Sequence, residues 1–118
     1  MKILHVFTLN TTAESFFDGQ FKILSEHGQE IHLVADTEED KDFSHRNHTF
    51  YHRIPIVRAI SPIADLTSIR LLIKLISRER FDAVVGHTPK GAMVAMIAAK
   101  FAGVKTRIYY RHGLVYTT

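Results

Sequence analysis

Residues 81–111, FDAVVGHTPKGAMVAMIAAKFAGVKTRIYYR, decide the fold. Ala83-Val84-Val85-Gly86 runs without polar interruption, the pattern of a strand covered on both faces of a parallel sheet. Phe81–His87 therefore reads as a strand. Thr88 and Pro89 then supply the N-cap and first position of a helix. Gly91–Ala102 is rich in Ala, Met and Gly, so the helix can pack close to its neighbours, and Gly103 stops it. Thr106–Arg111 is a second strand. Strand, helix and strand make one βαβ unit.

The same alternation continues upstream. Lys2–Thr8 is an apolar β run. Thr11-Thr-Ala-Glu14 is a capping box, opening a helix that runs to His27 with Gly28 as its stop. Phe17, Phe21 and Leu24 follow helical spacing and are expected in the core. Glu30–Ala35 is the second strand, the acidic stretch Asp36–Asp42 a solvated loop, and Thr49–Ile54 the third strand. Pro55–Ser61 connects to a long helix, Asp65–Arg80. Its wheel puts Leu66, Ile69, Leu72, Ile73 and Ile76 on one apolar face. Arg70, Lys74 and Arg78 form a basic stripe beside Leu71 and Leu75. The expected fold is a single α/β domain over residues 1–118, Rossmann-like, with three α/β/α layers around an open parallel sheet. No helix closes the fifth strand, so the chain is expected to stop before the end of its domain, as a fragment or one half of a larger enzyme.

Composition narrows the function. At 118 residues and 46% hydrophobic content, the chain has the makings of one packed domain. No apolar run reaches the ~18 residues of a membrane-spanning helix. Ile3–Leu9 carries His5 and Thr8 and lacks a cleavage site, so it does not read as a signal peptide. The absence of cysteine excludes disulfides, thiolate metal sites and a cysteine nucleophile. A net charge of +3 is too small and too scattered to point to nucleic acid.

In an open parallel sheet, ligands bind at the carboxyl ends of the strands. Leu9–Thr12, His87–Lys90 and Arg111–Gly113 fall there. Around Lys90 and Gly91 the helix start, its dipole and the Lys90 ammonium all favour an anion, so His87, Thr88 and Lys90 are candidates for a phosphate or a sugar hydroxyl. The plainer alternative has Thr88 and Pro89 only capping the helix and His87 bonding a loop. His112-Gly113 occupies the matching place after the fifth strand, where an imidazole can act near neutral pH. His45, His48 and His52 have spacing that invites a metal, but no carboxylate or thiolate completes a site, and a solvated patch is expected. The first turn, Leu9-Asn-Thr-Thr12, has no glycine, so the dinucleotide fingerprint is absent, as are a P-loop and a nucleophile elbow. The basic stripe with its leucines suits either an anionic membrane surface or an ordinary solvated face.

The run FFDGQFKILSEHGQEIHLVA (residues 16–35), with residues 53–114 from Arg53-Ile-Pro to His112-Gly-Leu114, resembles the N-terminal half of family 4 retaining glycosyltransferases of capsular, O-antigen and exopolysaccharide assembly. The resemblance rests on Gly19-Gln20 with Gly28, on Arg58 with Ser61-Pro62, and on His87-Thr-Pro-Lys90 with His112-Gly113. It implies one half of a GT-B fold, the half that mainly holds the acceptor. It also implies transfer, with retention, from a nucleotide diphosphate sugar to a bacterial surface glycan or lipid-linked acceptor, without a metal or other cofactor. His112 matches the histidine near the transferring sugar, the catalytic candidate. His87, Thr88 and Lys90 match the acceptor-facing loop, and Gly113 goes with His112. Asn10, Thr11 and Thr12 match a first loop that in many members is glycine-rich, and Arg58 matches an arginine with no assigned role. The donor-binding half and its E-x7-E motif are absent, so the chain alone is expected to be inactive. A cytoplasmic location follows, with peripheral contact to the inner face of the membrane, and the isolated domain would dimerise to cover its cleft. Two other readings stay open: a free-standing module binding a nucleotide or sugar phosphate, and a subunit pairing with a separate donor-binding chain.

Overall fold

In a computed structural model, residues 1–7, 20–36, 41–56, 61–87, 89–111 and 114–117 are described. Strands β1 (Lys2–Val6), β2 (Glu30–Ala35), β3 (Thr49–Arg53), β4 (Ala83–His87), β5 (Thr106–Arg111) and β6 (Leu114–Thr117) form one sheet in the order β3-β2-β1-β4-β5-β6. The first five are parallel and β6 runs antiparallel to β5. The expected Rossmann-like sheet is therefore present, and the four residues Leu114–Thr117 add an antiparallel edge. The chain moves outward from β1 to β3, then crosses back to place β4 on the other side of β1. This reversal leaves a crevice beyond the carboxyl ends of β1 and β4.

Helices α1 (Gln20–Glu26), α2 (Lys41–Asn47), α3 (Pro62–Glu79) and α4 (Pro89–Phe101) cover the sheet. Period-2 alternation divides its side chains between two cores. Leu4, Val6, Val34 and Val84 join Leu72, Leu75 and Ile76 of α3 and Val94, Ala95, Ala98 and Ala99 of α4. On the other face, Phe7, Ile31, Leu33 and Ala35 pack with Phe21 of α1. Every residue of β4 is buried, as its apolar run predicts. Small residues let α4 sit directly on that strand: a Cβ at Gly86 would come 2.5 Å from Ala92 Cα. Gly103 takes φ +82° after α4, where the Val104 amide donates to Ala99 O at 2.9 Å, a left-handed helix end.

Three local readings are corrected. First, α3 begins at Pro62, three residues before the expected Asp65. Pro62 lacks only an amide that a helix start leaves unsatisfied anyway. Second, the inner face of α3 is rotated. Asp65, Ser68, Leu72, Leu75 and Ile76 are buried, Ile69 and Ile73 are half-buried, and Leu66 is 58% exposed. The polar pair turns inward because each member finds a partner there: the single Ser68 hydroxyl proton is shared between Pro55 O and Ala64 O, and Asp65 meets Lys90. Third, the acidic stretch taken as a loop leads into α2, with Asp42 in its first turn and His45 and Arg46 in its last, both matched to the helix dipole. Phe21 is buried as expected, whereas Leu24 is 40% exposed. The capping box and Phe17 lie outside the described residues.

Candidate functional site

The candidate site is the carboxyl edge of the sheet at the β1/β4 reversal. His87, the last residue of β4, has no exposed surface. Its Nε2 lies 2.9 Å from His5 Nδ1 of β1, and its ring stacks on Phe7 with centroids 4.1 Å apart and planes 10° apart. Phe21 of α1 closes over His5 at 4.9 Å. The parallel register explains the meeting: His5 pairs with Val85 and Val6 with Gly86, so the side chains of His5 and His87 fall on the same face, two residues apart. Burial pushes the His5 imidazole down to about 3, so it stays neutral. His87 thus braces the floor beneath the edge through its contact with β1.

Lys90 is the second residue of α4, in its first turn. Its Nζ donates to Asp65 Oδ2 at 2.7 Å, with both side chains only 12% exposed. Asp65 Oδ1 is buried and has no hydrogen-bond partner among the described residues. Both residues face the same edge, because α3 starts after the end of β3 and α4 starts after the end of β4. The Lys90 charge is therefore already balanced by a carboxylate, and a hydroxyl donor aimed at Asp65 Oδ1 suits the pair as well as an anion does. Asp65 was missed from sequence. It lies 25 residues from Lys90, and an acidic residue in a first helical turn reads as a dipole partner. His5 was missed for a similar reason, 82 residues from His87.

The remaining sequence candidates, Asn10, Thr11, Thr12, Arg58, Thr88, His112 and Gly113, lie outside the described residues. The described strands that precede four of the loops, β1, β3, β4 and β5, run parallel and so end at this one edge.

The histidine triplet disperses. His45 and His48 are exposed on α2 and the turn after it, while His52 sits on β3. Its Nε2 is 2.9 Å from His32 Nδ1 on β2, and His32 Nε2 is 2.7 Å from Glu30 Oε2. Among the described residues no group of three His, Asp or Glu could hold a metal ion. On the outer side of α3, Arg70 and Lys74 line a groove of about 370 Å³ with Thr67, Leu71 and Ile73. Exposed Ile63 and Leu66 continue that side toward the helix start. No helix among the described residues is long and apolar enough to cross a membrane.

A Rossmann-like sheet with its crevice at the strand reversal defines the α/β fold class. The particular family is given by comparison: the glycosyl transferase 4-like family model matches residues 3–118, and the chain belongs to that family. It is 30% identical over 116 residues to the capsular polysaccharide biosynthesis glycosyltransferase CapM of Staphylococcus aureus, covering 97% of this chain and 30% of the relative. It is 36% identical over 61 residues to an Escherichia coli UDP-Gal:alpha-D-GlcNAc-diphosphoundecaprenol alpha-1,3-galactosyltransferase, covering 52% of this chain and 16% of that one. The crystal structure of Acinetobacter baumannii MurG superposes with a TM-score of 0.69 at 16% identity, over 93% of this chain and 33% of MurG, which shows the shared fold. The chain thus spans less than a third of the length of these curated relatives.

Proposed function

We propose that this chain is the acceptor-side domain of a glycosyltransferase of bacterial surface-polysaccharide assembly. The enzyme would move a sugar, with retention, from a nucleotide diphosphate sugar to a glycan or lipid-linked acceptor. The observation that carries the reading is the family match along residues 3–118, joined to a crevice at the β1/β4 reversal. In this reading His112 is the catalytic candidate, and Asn10, Thr11, Thr12, Arg58, Thr88 and Gly113 are the substrate-binding candidates. His87 holds the floor from behind. Lys90 and Asp65 act together, the carboxylate accepting from an acceptor hydroxyl while the ammonium holds the carboxylate in place. Catalysis needs donor and acceptor fixed together, so this domain by itself is inactive. The outer side of α3, with Arg70 and Lys74 beside Ile63, Leu66 and Leu71, meets the inner face of the cytoplasmic membrane, where a lipid-linked acceptor resides.

Transfer assays with labelled nucleotide sugars and an undecaprenyl-linked acceptor test this. They are run on the 118-residue chain and on the longest polypeptide its reading frame encodes. Retained-configuration product from the longer polypeptide alone is the expected result. Turnover by the 118 residues would overturn the inactivity, and no product with any donor would overturn the assignment.

A further inference from the structure

Between β3 and the second half of α3 lies a cavity of about 380 Å³, separate from the β1/β4 edge. Its walls include His52, Arg53, Lys74 and Arg78, with Leu71 and apolar Ile54 and Leu75 behind them. No carboxylate is among the lining residues. Lys74 and Arg78 bring two cationic side chains to one small opening beside the His52 ring, Arg78 also lying 3.3 Å from Glu79 Oε2, and so favour the entry of an anion.

The imidazole in that wall is oriented by a chain of hydrogen bonds. The Glu30 carboxylate can only accept, so His32 donates to it from Nε2. In the tautomer with a proton on Nε2 alone, His32 accepts at Nδ1 and His52 donates from Nε2. His52 Nδ1 makes no hydrogen bond to a described group. In the neutral ring that atom carries a lone pair, and protonation turns it into a donor. Burial, His32, Arg78 of α3 and Lys2 of β1 hold the His52 pKa below the ordinary histidine value, with Glu79 of α3 pulling the other way. Lys74 on α3 adds to the cationic surroundings, whereas Arg53 turns to the other face of β3, its Nε donating to Asp36 O at 3.3 Å.

From this arrangement we infer that the cavity is a binding site for a tetrahedral oxyanion, a phosphate group in the cell, and that His52 takes up a proton when it is filled. Lys74 and Arg78 supply fixed positive charge, and His52 adds a third donor only in the bound state. The inference does not rest on the glycosyltransferase reading. Where the membrane reading also holds, an anionic headgroup is one source of the phosphate and a soluble phosphomonoester the other.

The test is an NMR titration of the full chain, following the His52 ring nitrogens with and without inorganic sulfate, which stays dianionic throughout. Sulfate is expected to bind saturably, to raise the His52 pKa by about one unit, and so to bind about tenfold tighter below that pKa than above it. His52→Asn should keep binding and lose its pH dependence. Lys74→Gln with Arg78→Gln, both at exposed positions, should lose at least about tenfold at every pH. A His52 pKa unmoved by saturating sulfate, or full affinity in the Lys74/Arg78 double variant, overturns the site. Glycerol phosphate and phosphatidylglycerol vesicles then separate the sources, since the double substitution should weaken only the probe that uses the cavity. If it weakens neither, the phosphate assignment falls.

Discussion

Two histidine pairs share one sheet and one spacing, 2.9 Å, yet they sit in opposite surroundings. His5–His87 lies on the α1 face, packed between Phe7 and Phe21. His32–His52 lies on the α3 face, tied to Glu30 at one end and opening on a cation-lined cavity at the other. In the first, burial keeps His5 neutral, so the pair acts as a polar rivet in an apolar layer. In the second, a carboxylate and a solvent-facing nitrogen leave a proton site available. The same two imidazoles are structural or reactive according to what encloses them.

The comparison breaks most severely at His87. His87→Ala should cost about 3–5 kcal/mol in urea denaturation, because it empties a filled site and removes the ring that stacks on Phe7 and meets His5 Nδ1. His52→Ala, at a half-buried edge strand, should cost about 1 kcal/mol or less. Equal losses would erase the distinction.

Breaking the Lys90–Asp65 pair ranks next. Lys90→Met should cost about 2–3 kcal/mol by leaving a buried carboxylate unbalanced, and Asp65→Asn in the same background should recover part of it. A strictly additive double variant would show that the pair is not coupled.

Acidification sharpens the contrast further. The folded His5 pKa of about 3 lies below the unfolded value near 6.5, so the unfolded chain binds more protons between those limits. Stability is full above pH 6.5 and falls as pH drops, by up to about 1.4 kcal/mol per unit. Denaturation midpoints at pH 7 and pH 5 check this above most of the carboxylate range. Unchanged stability would mean that His5 is not shielded as described.

The smallest effect belongs to Lys2, whose ammonium reaches Glu79 at 3.0 Å and Glu30 at 3.5 Å. Lys2→Met should change stability less than any of the variants above, and less still in high salt. A larger loss would show that Glu30 depends on Lys2 to hold His32.

What the sequence disclosed follows from locality. The stretch from β4 to β5 was legible because an unbroken apolar run, a Thr-Pro helix start and a glycine stop are all local signals. Helix α2 was not, since its acidic lead-in resembles a loop and its seven residues carry no apolar stripe. The face of α3 was misjudged because Asp65 and Ser68 turn inward to partners that only the fold supplies. Both histidine pairs and the Lys90–Asp65 contact join distant strands or helices, so strand order and register create them. Of the expected edge residues, only His87 and Lys90 are described, and each is engaged by a partner that no local pattern reveals.

The contact between Gly86 and Ala92 has a consequence for how relatives of this domain can diverge. With 2.5 Å between a would-be Cβ and the helix backbone, position 86 works as a spacer gauge. A homologous domain carrying any side chain there must hold its fourth helix farther from the sheet. The strand-to-helix corner would shift with it, so a single core residue would reset the width of the crevice mouth without touching a residue that lines it.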